Sequence, residues 1–158
     1  MPKLALLRGI PGSGKSYATL FIPTVQVIDP DNYFSLASSK TFLYQETLQL
    51  ALETLNNNKN GIWCQCWAKL WGMDFTLRYL TKYYSGSSKL EMCIFQLDVP
   101  YLKCYRRFIS KQDKLTLKKF QEKYVVNFDE ANLPNLPIIK CSNSEDLLIK
   151  LKCFFKLY

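Results

Sequence analysis

Apolar residues along this chain fall into short, nearly continuous runs separated by longer stretches in which they recur every three to four positions. Five runs read as strands: residues 4–8, Val25-Gln26-Val27-Ile28, Gly61-Ile62-Trp63-Cys64-Gln65-Cys66, Met92-Cys93-Ile94-Phe95-Gln96-Leu97 and Pro137-Ile138-Ile139-Lys140-Cys141. Between them the spacing predicts helices over 14–21, 41–55 (Leu48, Leu52 and Leu55 on one face) and 74–83 (Leu77 and Leu80). Val99-Pro100 opens another helix, with proline at a favourable first position, and two basic helical segments follow at about 101–110 and 114–124. Ser142-Asn143-Ser144 is a capping cluster for a last helix, whose Leu147, Leu148, Leu151, Phe154 and Phe155 form one apolar stripe. Asp29-Pro30-Asp31-Asn32, Ser85-Gly86-Ser87-Ser88 and residues 125–135 read as turns or loops. Strands that are apolar at nearly every position and alternate with helices predict an α/β fold. The expected form is three-layered, a parallel sheet with helices on both faces. No repeat or linker interrupts the pattern, so residues 1–158 read as one domain.

Directly after the first strand stands Gly9-Ile10-Pro11-Gly12-Ser13-Gly14-Lys15-Ser16, which satisfies G-x-x-x-x-G-K-[ST] at every fixed position. The spacing has a chemical reason. Gly9, Gly12 and Gly14 let the backbone turn tightly and aim its N–H groups at phosphate oxygens, with Pro11 and Ser13 completing the loop. The helix that begins here, carrying Tyr17 in its first turn, adds its dipole at the anion. Lys15 is expected at the β- and γ-phosphates and the Ser16 hydroxyl at Mg²⁺. The motif predicts binding of a nucleoside triphosphate with Mg²⁺.

Composition narrows the class. With 158 residues, 48% of them hydrophobic, the chain can bury a core, and no apolar run approaches the ~18 residues that span a bilayer. The N-terminal segment reads as a strand with no cleavage-site pattern, so a cytoplasmic protein without a membrane partner is expected. The six cysteines then read as free thiols. Cys64-x-Cys66 is too short for a zinc pair, and the chain has no histidine to complete one. The balance of 21 Lys and Arg against 13 Asp and Glu, net +8, suggests an anionic partner larger than a nucleotide, with nucleic acid the first candidate. These cations concentrate in the second half, at Lys103, Arg106, Arg107, Lys111, Lys114, Lys118, Lys119 and Lys123.

Ligands in parallel sheets sit beyond the carboxyl ends of the strands, so the residues there are candidates. Asp31, sixteen residues after Lys15, is placed to accept the proton of an attacking hydroxyl. Pro30 forces Asp29 to be extended, which favours Asp31 over it. The third strand ends in Gln65 and Trp67 with no carboxylate for the metal shell. Gln65 could orient a water or a substrate group. Trp63, Trp67 and Trp71 read equally as core or as a stacking surface for an acceptor base. Arg106, Arg107 and Lys111 lie in a basic lid near 103–114, where an arginine could offset charge on a transferring phosphoryl group.

Together these residues resemble the phage-type polynucleotide 5′-hydroxyl kinases of the P-loop kinase superfamily. The resemblance rests on the Gly9–Ser16 motif, on Asp31-Asn32-Tyr33 in place of that family's Asp-Asp-Tyr, and on Leu97-Asp98-Val99-Pro100 leading into the basic lid. It implies a sheet of order 2-3-1-4-5, ATP·Mg²⁺ as donor and the 5′-hydroxyl of DNA or RNA as acceptor. By the same match Asp31 is the general base, Lys15 and Ser16 hold phosphate and metal, Arg107 and Lys111 belong to the lid, and Tyr33 lies on the acceptor side. Two positions depart from the family: Phe34 replaces an acceptor-holding arginine, and Gln65 replaces the aspartate that ends strand three. Two other readings stay open. One is the same chemistry on a small hydroxyl acceptor such as a nucleoside, a sugar nucleotide or an antibiotic; the other is a regulatory ATP-binding module. A GTPase is disfavoured, since neither D-x-x-G nor N-K-x-D follows the loop.

Overall fold

The computed structural model describes residues 1–30, 40–67, 70–110, 115–125 and 133–157. The strands are β1 (Lys3–Arg8), β2 (Gln26–Ile28), β3 (Gly61–Cys64), β4 (Glu91–Leu97) and β5 (Ile138–Cys141). They form one all-parallel sheet in the order β2-β3-β1-β4-β5, with Leu4 opposite Gly61 on one side and Met92 on the other. The helices are α1 (Lys15–Thr19), α2 (Lys40–Asn56), α3 (Leu70–Tyr83), α4 (Tyr101–Ile109), α5 (Leu117–Phe120) and α6 (Ser144–Phe155).

The period of two along β1 distributes its side chains between two cores. Leu4 and Leu6 join Ile28, Trp63 and Ile94 beneath Leu48, Ala51 and Leu55 of α2 and Met73, Leu77 and Leu80 of α3. Ala5 and Leu7 join Ile62, Phe95, Leu97 and Cys141 beneath Ala18 of α1 and Leu147, Leu151 and Phe155 of α6. Burial on both faces is why these strands read as continuous apolar runs. Among the described residues no helix is long and apolar enough to cross a membrane, and no disulfide joins any of the six cysteines.

Several boundaries differ from those the sequence predicts. The first helix stops at Thr19 because the N–H groups of Leu20, Phe21 and Ile22 bond three residues back, to Tyr17, Ala18 and Thr19, which tightens the chain out of the α-helix. The third strand ends at Cys64, leaving Gln65 and Cys66 in a tail. The third helix begins four residues early, at Leu70 rather than Asp74, and brings the fully buried Met73 into the core. The segment expected as one helix over 114–124 is a single turn, α5, capped by the Thr116 hydroxyl, and continues as a π-turn over Gln121–Val125. Of the cluster before α6, Asn143 is the cap: its side-chain oxygen accepts from the N–H groups of Glu145 (3.0 Å) and Asp146 (2.9 Å).

A third, smaller core fastens α4, α5 and the π-turn to the glycine loop. Ile10 of the loop packs with Cys104 and Phe120, surrounded by Tyr105, Phe108 and Tyr124. Residues 101–110 and 115–125 thus form a basic arm packed on the glycine loop at the end of β1.

Candidate nucleotide-binding site

The loop between β1 and α1 uses its glycines where no other residue would fit. Gly12 and Gly14 adopt φ of +82° and +100°, the left-handed region that favours glycine. A Cβ on Gly12 would stand 2.2 Å from the carbonyl oxygen of Cys104 in α4, and one on Gly14 would stand 3.1 Å from Ser144 Cβ. The loop is therefore pressed between the arm on one side and the start of α6 on the other. The Ser13 N–H donates to the Ile10 carbonyl (3.1 Å), and the Ser13 side chain is fully buried.

Lys15 is 9% exposed, and its ammonium donates to the carbonyls of Gly9 (2.5 Å) and Ile10 (3.2 Å). A charge so nearly buried is held in place by these loop oxygens at the floor of the cleft. Ser16 Oγ lies 3.5 Å from Cys64 Sγ at the end of β3. Across the loop, Arg107 Nη1 donates to the Gly12 carbonyl (3.3 Å) while its side chain remains exposed. Cys104 sits beneath Gly12, and burial pushes its thiol pKa up while Lys15, Arg107 and Lys103 pull it back.

These residues open on a cleft of about 950 Å³. Pro11, Gly12, Gly14, Lys15, Ser16 and Tyr17 form its floor, and Asp29, Gln65 and Cys66 form the wall at the strand ends. Arg107, Phe108, Ser110 and Tyr124 of the arm close the opposite side, with Ser144 at the mouth. The volume is in the range of small-molecule and cofactor sites. The Ser16 hydroxyl and the Asp29 carboxyl offer the hard oxygen donors that suit Mg²⁺. No group of three or more His, Cys, Asp or Glu gathers among the described residues. That donor set fits an ion held chiefly by nucleotide phosphates and water, not by an all-protein cage.

Of the residues expected from the sequence, the cleft gathers Pro11, Gly12, Gly14, Lys15, Ser16, Tyr17, Gln65 and Arg107. Gly9 and Ser13 shape the loop from behind, the Gly9 N–H donating to the Cys66 carbonyl (3.4 Å). Arg106, on the same helix as Arg107, is exposed and is not part of the cleft lining. Of the two readings open for Trp67, core or stacking surface, its burial accords with core. It is 2% exposed, packs against the fully buried Trp63 at 5.6 Å between centroids, and belongs to the α2–α3 core. Asp31, Tyr33, Phe34 and Lys111 lie outside the described residues, as does the Trp71 side chain.

Sequence reasoning missed Asp29. The extended backbone that Pro30 imposes was read against it, yet Asp29 closes β2 with its side chain in the cleft and 9% exposed. Its position at a strand's carboxyl end was the available signal. Ser144 was read only as part of a cap, and nothing local distinguishes it. Its approach to Gly14 arises from residues 130 positions apart.

No family model matches the chain, and no curated protein sequence matches it. Solved structures do match. The tunicamycin resistance protein of Deinococcus radiodurans superposes with a TM-score of 0.66 at 12% identity, covering 100% of this chain and 98% of that one. A gluconokinase from Sinorhizobium meliloti gives 0.60 at 12% identity, covering 99% and 98%. A deoxyadenosine kinase from M. mycoides, with bound dATP, gives 0.57 at 14% identity, covering 98% and 99%. At these identities the likeness is one of architecture. With its parallel sheet in the order 2-3-1-4-5 and a glycine loop following the central strand, the chain has the P-loop kinase fold.

Proposed function

We propose that this protein is an ATP-dependent phosphotransferase that moves the γ-phosphoryl group to a hydroxyl acceptor. The observation that carries this reading is the complete phosphate loop, with Lys15 and Ser16 on the floor of a cleft and Arg107 across it. Phosphoryl transfer needs positioning and charge neutralisation more than covalent chemistry, and these residues are suited to both. Loop N–H groups and Lys15 hold the β- and γ-phosphates, and Arg107 offsets charge as the γ-phosphoryl leaves. Ser16, with Asp29 close by, would hold a Mg²⁺ ion that neutralises the phosphate oxygens. The acceptor's proton goes to a carboxylate from the segment after β2: Asp31 by its family resemblance, or Asp29 by its place in the cleft wall.

For the acceptor we propose the 5′-hydroxyl of DNA or RNA. Support comes from the arm bordering the cleft, where Lys103, Arg106, Arg107, Lys118, Lys119 and Lys123 are all exposed and suited to a phosphate backbone. A second reading, a small hydroxyl acceptor, is favoured by the gluconokinase and deoxyadenosine kinase among the similar structures. The cytoplasm, where ATP coexists with reduced thiols, is the compartment we propose.

Transfer of label from γ-labelled ATP with Mg²⁺ to matched 5′-hydroxyl DNA and RNA oligonucleotides tests both levels. The expected result is labelled oligonucleotide, lost in Lys15→Ala and reduced at least ~10²-fold in whichever of Asp29→Asn and Asp31→Asn removes the base. Label on small hydroxyl compounds alone would select the second reading. ATP binding without transfer to any acceptor would overturn the phosphotransferase and leave a regulatory ATP-binding module.

A further inference from the structure

Arg8 is the last residue of β1, directly before the phosphate loop, and its side chain is fully buried. A guanidinium does not shed its charge, so a position without solvent is tolerated only where its donors are matched. By the alternation along β1 it falls on the same face as Leu4 and Leu6, where the pattern calls for an apolar residue. The ordinary function of a P-loop does not require it.

Its hydrogen bonds explain the placement. Arg8 Nε donates to the carbonyl of Trp67 (3.3 Å) and Nη1 donates to Gln96 Oε1 (2.7 Å). Gln96, itself fully buried, donates from Nε2 to Asp98 Oδ1 (3.0 Å). The tail after β3 is laced to the end of β1 one residue at a time. The Gln65 N–H donates to the Leu7 carbonyl (3.4 Å), the Cys66 carbonyl accepts from the Gly9 N–H (3.4 Å), and the Trp67 carbonyl accepts from Arg8. Both backbone bonds are long, and the guanidinium adds a third tie at the next residue, anchored by its short bond to Gln96. It does so at Trp67, whose φ of +53° is uncommon for a bulky residue and persists only where its surroundings hold it. Gln65 and Cys66, the two residues so held, line the cleft beside the loop.

We infer that Arg8 is a positioning residue. It locks the Gln65–Cys66 wall to the end of β1 and braces that wall to β4 through Gln96, so that the acceptor meets the γ-phosphate at a fixed distance. It touches no substrate and acts through the tail it holds; the inference rests on the phosphotransferase reading for its kinetic consequence, not for its structural one.

The test uses the full chain with Arg8→Lys, Arg8→Met and Gln96→Met. Lysine keeps the charge but lacks the fork that reaches two acceptors at once. Arg8→Lys should raise acceptor KM or lower kcat by ~10-fold, with KM for ATP within ~2-fold of wild type, since the loop itself is untouched. Gln96→Met should resemble it, and the double variant should be no worse than either alone. Alkylation followed by peptide mass spectrometry supplies a readout independent of activity. Cys66 should react several-fold faster in the Arg8 variants, and the exposed Cys153 at an unchanged rate. Folded variants that match wild type in acceptor kinetics and Cys66 reactivity would overturn the inference. So would a parallel loss of ATP and acceptor affinity that tracks only the folded fraction. Should Arg8→Met not fold, Arg8→Lys and Gln96→Met decide. Should the wild-type chain phosphorylate no acceptor, the phosphotransferase reading fails, and Cys66 reactivity alone decides the positioning role.

Discussion

Gly12 illustrates how much of the site is decided at single residues and how little of that is local. Its φ of +82° is a requirement of the loop, readable from the glycine spacing because the turn is formed by adjacent residues. The Cys104 carbonyl that would meet its Cβ at 2.2 Å comes from a helix 92 positions later in the chain and leaves no local trace. Gly12→Ala therefore combines backbone strain with a backbone clash that no rotamer relieves. On the proposed function, nucleotide affinity should fall by at least ~10-fold, seen as a smaller thermal shift on adding ATP with Mg²⁺ than wild type gives. Wild-type stabilisation in the variant would refute this account of the loop. Asp29 and Trp67 carry the same lesson in opposite directions. A carboxylate read as a turn residue lies in the cleft, and a tryptophan that reads equally as core or as binding surface lies in the core.

At the scale of elements, type was legible and extent was not. The periods of two and 3.6 come from backbone geometry, so every described strand and long helix is of the type its pattern predicts. Ends depend on hydrogen bonds with distant partners. The arm is the clearest case, because its sequence reads as a basic helical segment over 114–124. Instead Phe120 packs against Tyr105, Phe108 and Tyr124, at 5.2 to 5.4 Å between ring centroids, and the chain widens to a π-turn after it. Phe120→Ala removes the centre of this cluster. The arm's attachment should weaken by about 3–5 kcal/mol while both faces of the sheet stay folded. Limited proteolysis should then cut within 101–125, with weaker nucleotide binding, while the main unfolding transition stays in place. A drop in that main transition with the arm still protected would show that Phe120 supports the sheet and not the arm.

The whole molecule places neutral thiols where charge cannot follow. Burial pushes the Cys93 pKa up to about 11, with Glu91 adding to the shift. Burial likewise pushes Cys141 up to about 11, against the pull of Lys150. A raised acid pKa in the folded state means that the unfolded chain loses its protons first as pH rises. The contribution to stability is complete below the unfolded thiol value of about 9 and is lost on approach to 11. Urea unfolding at pH 8, 9 and 10 should show a steeper alkaline decline in wild type than in the Cys93→Ala, Cys141→Ala double variant. Equal slopes would mean that both thiols ionise freely in the fold. By itself the sequence determined the α/β class, the parallel sheet and the phosphate loop, because each follows from periodicity or from contiguous residues. Tertiary structure alone decided the partners: Arg8 against the β3 tail, the arm over Gly12, Ser144 beside Gly14 and Asp29 in the cleft. Those contacts join residues far apart in the chain, brought together only when the sheet orders its strands 2-3-1-4-5, and no local pattern encodes that proximity.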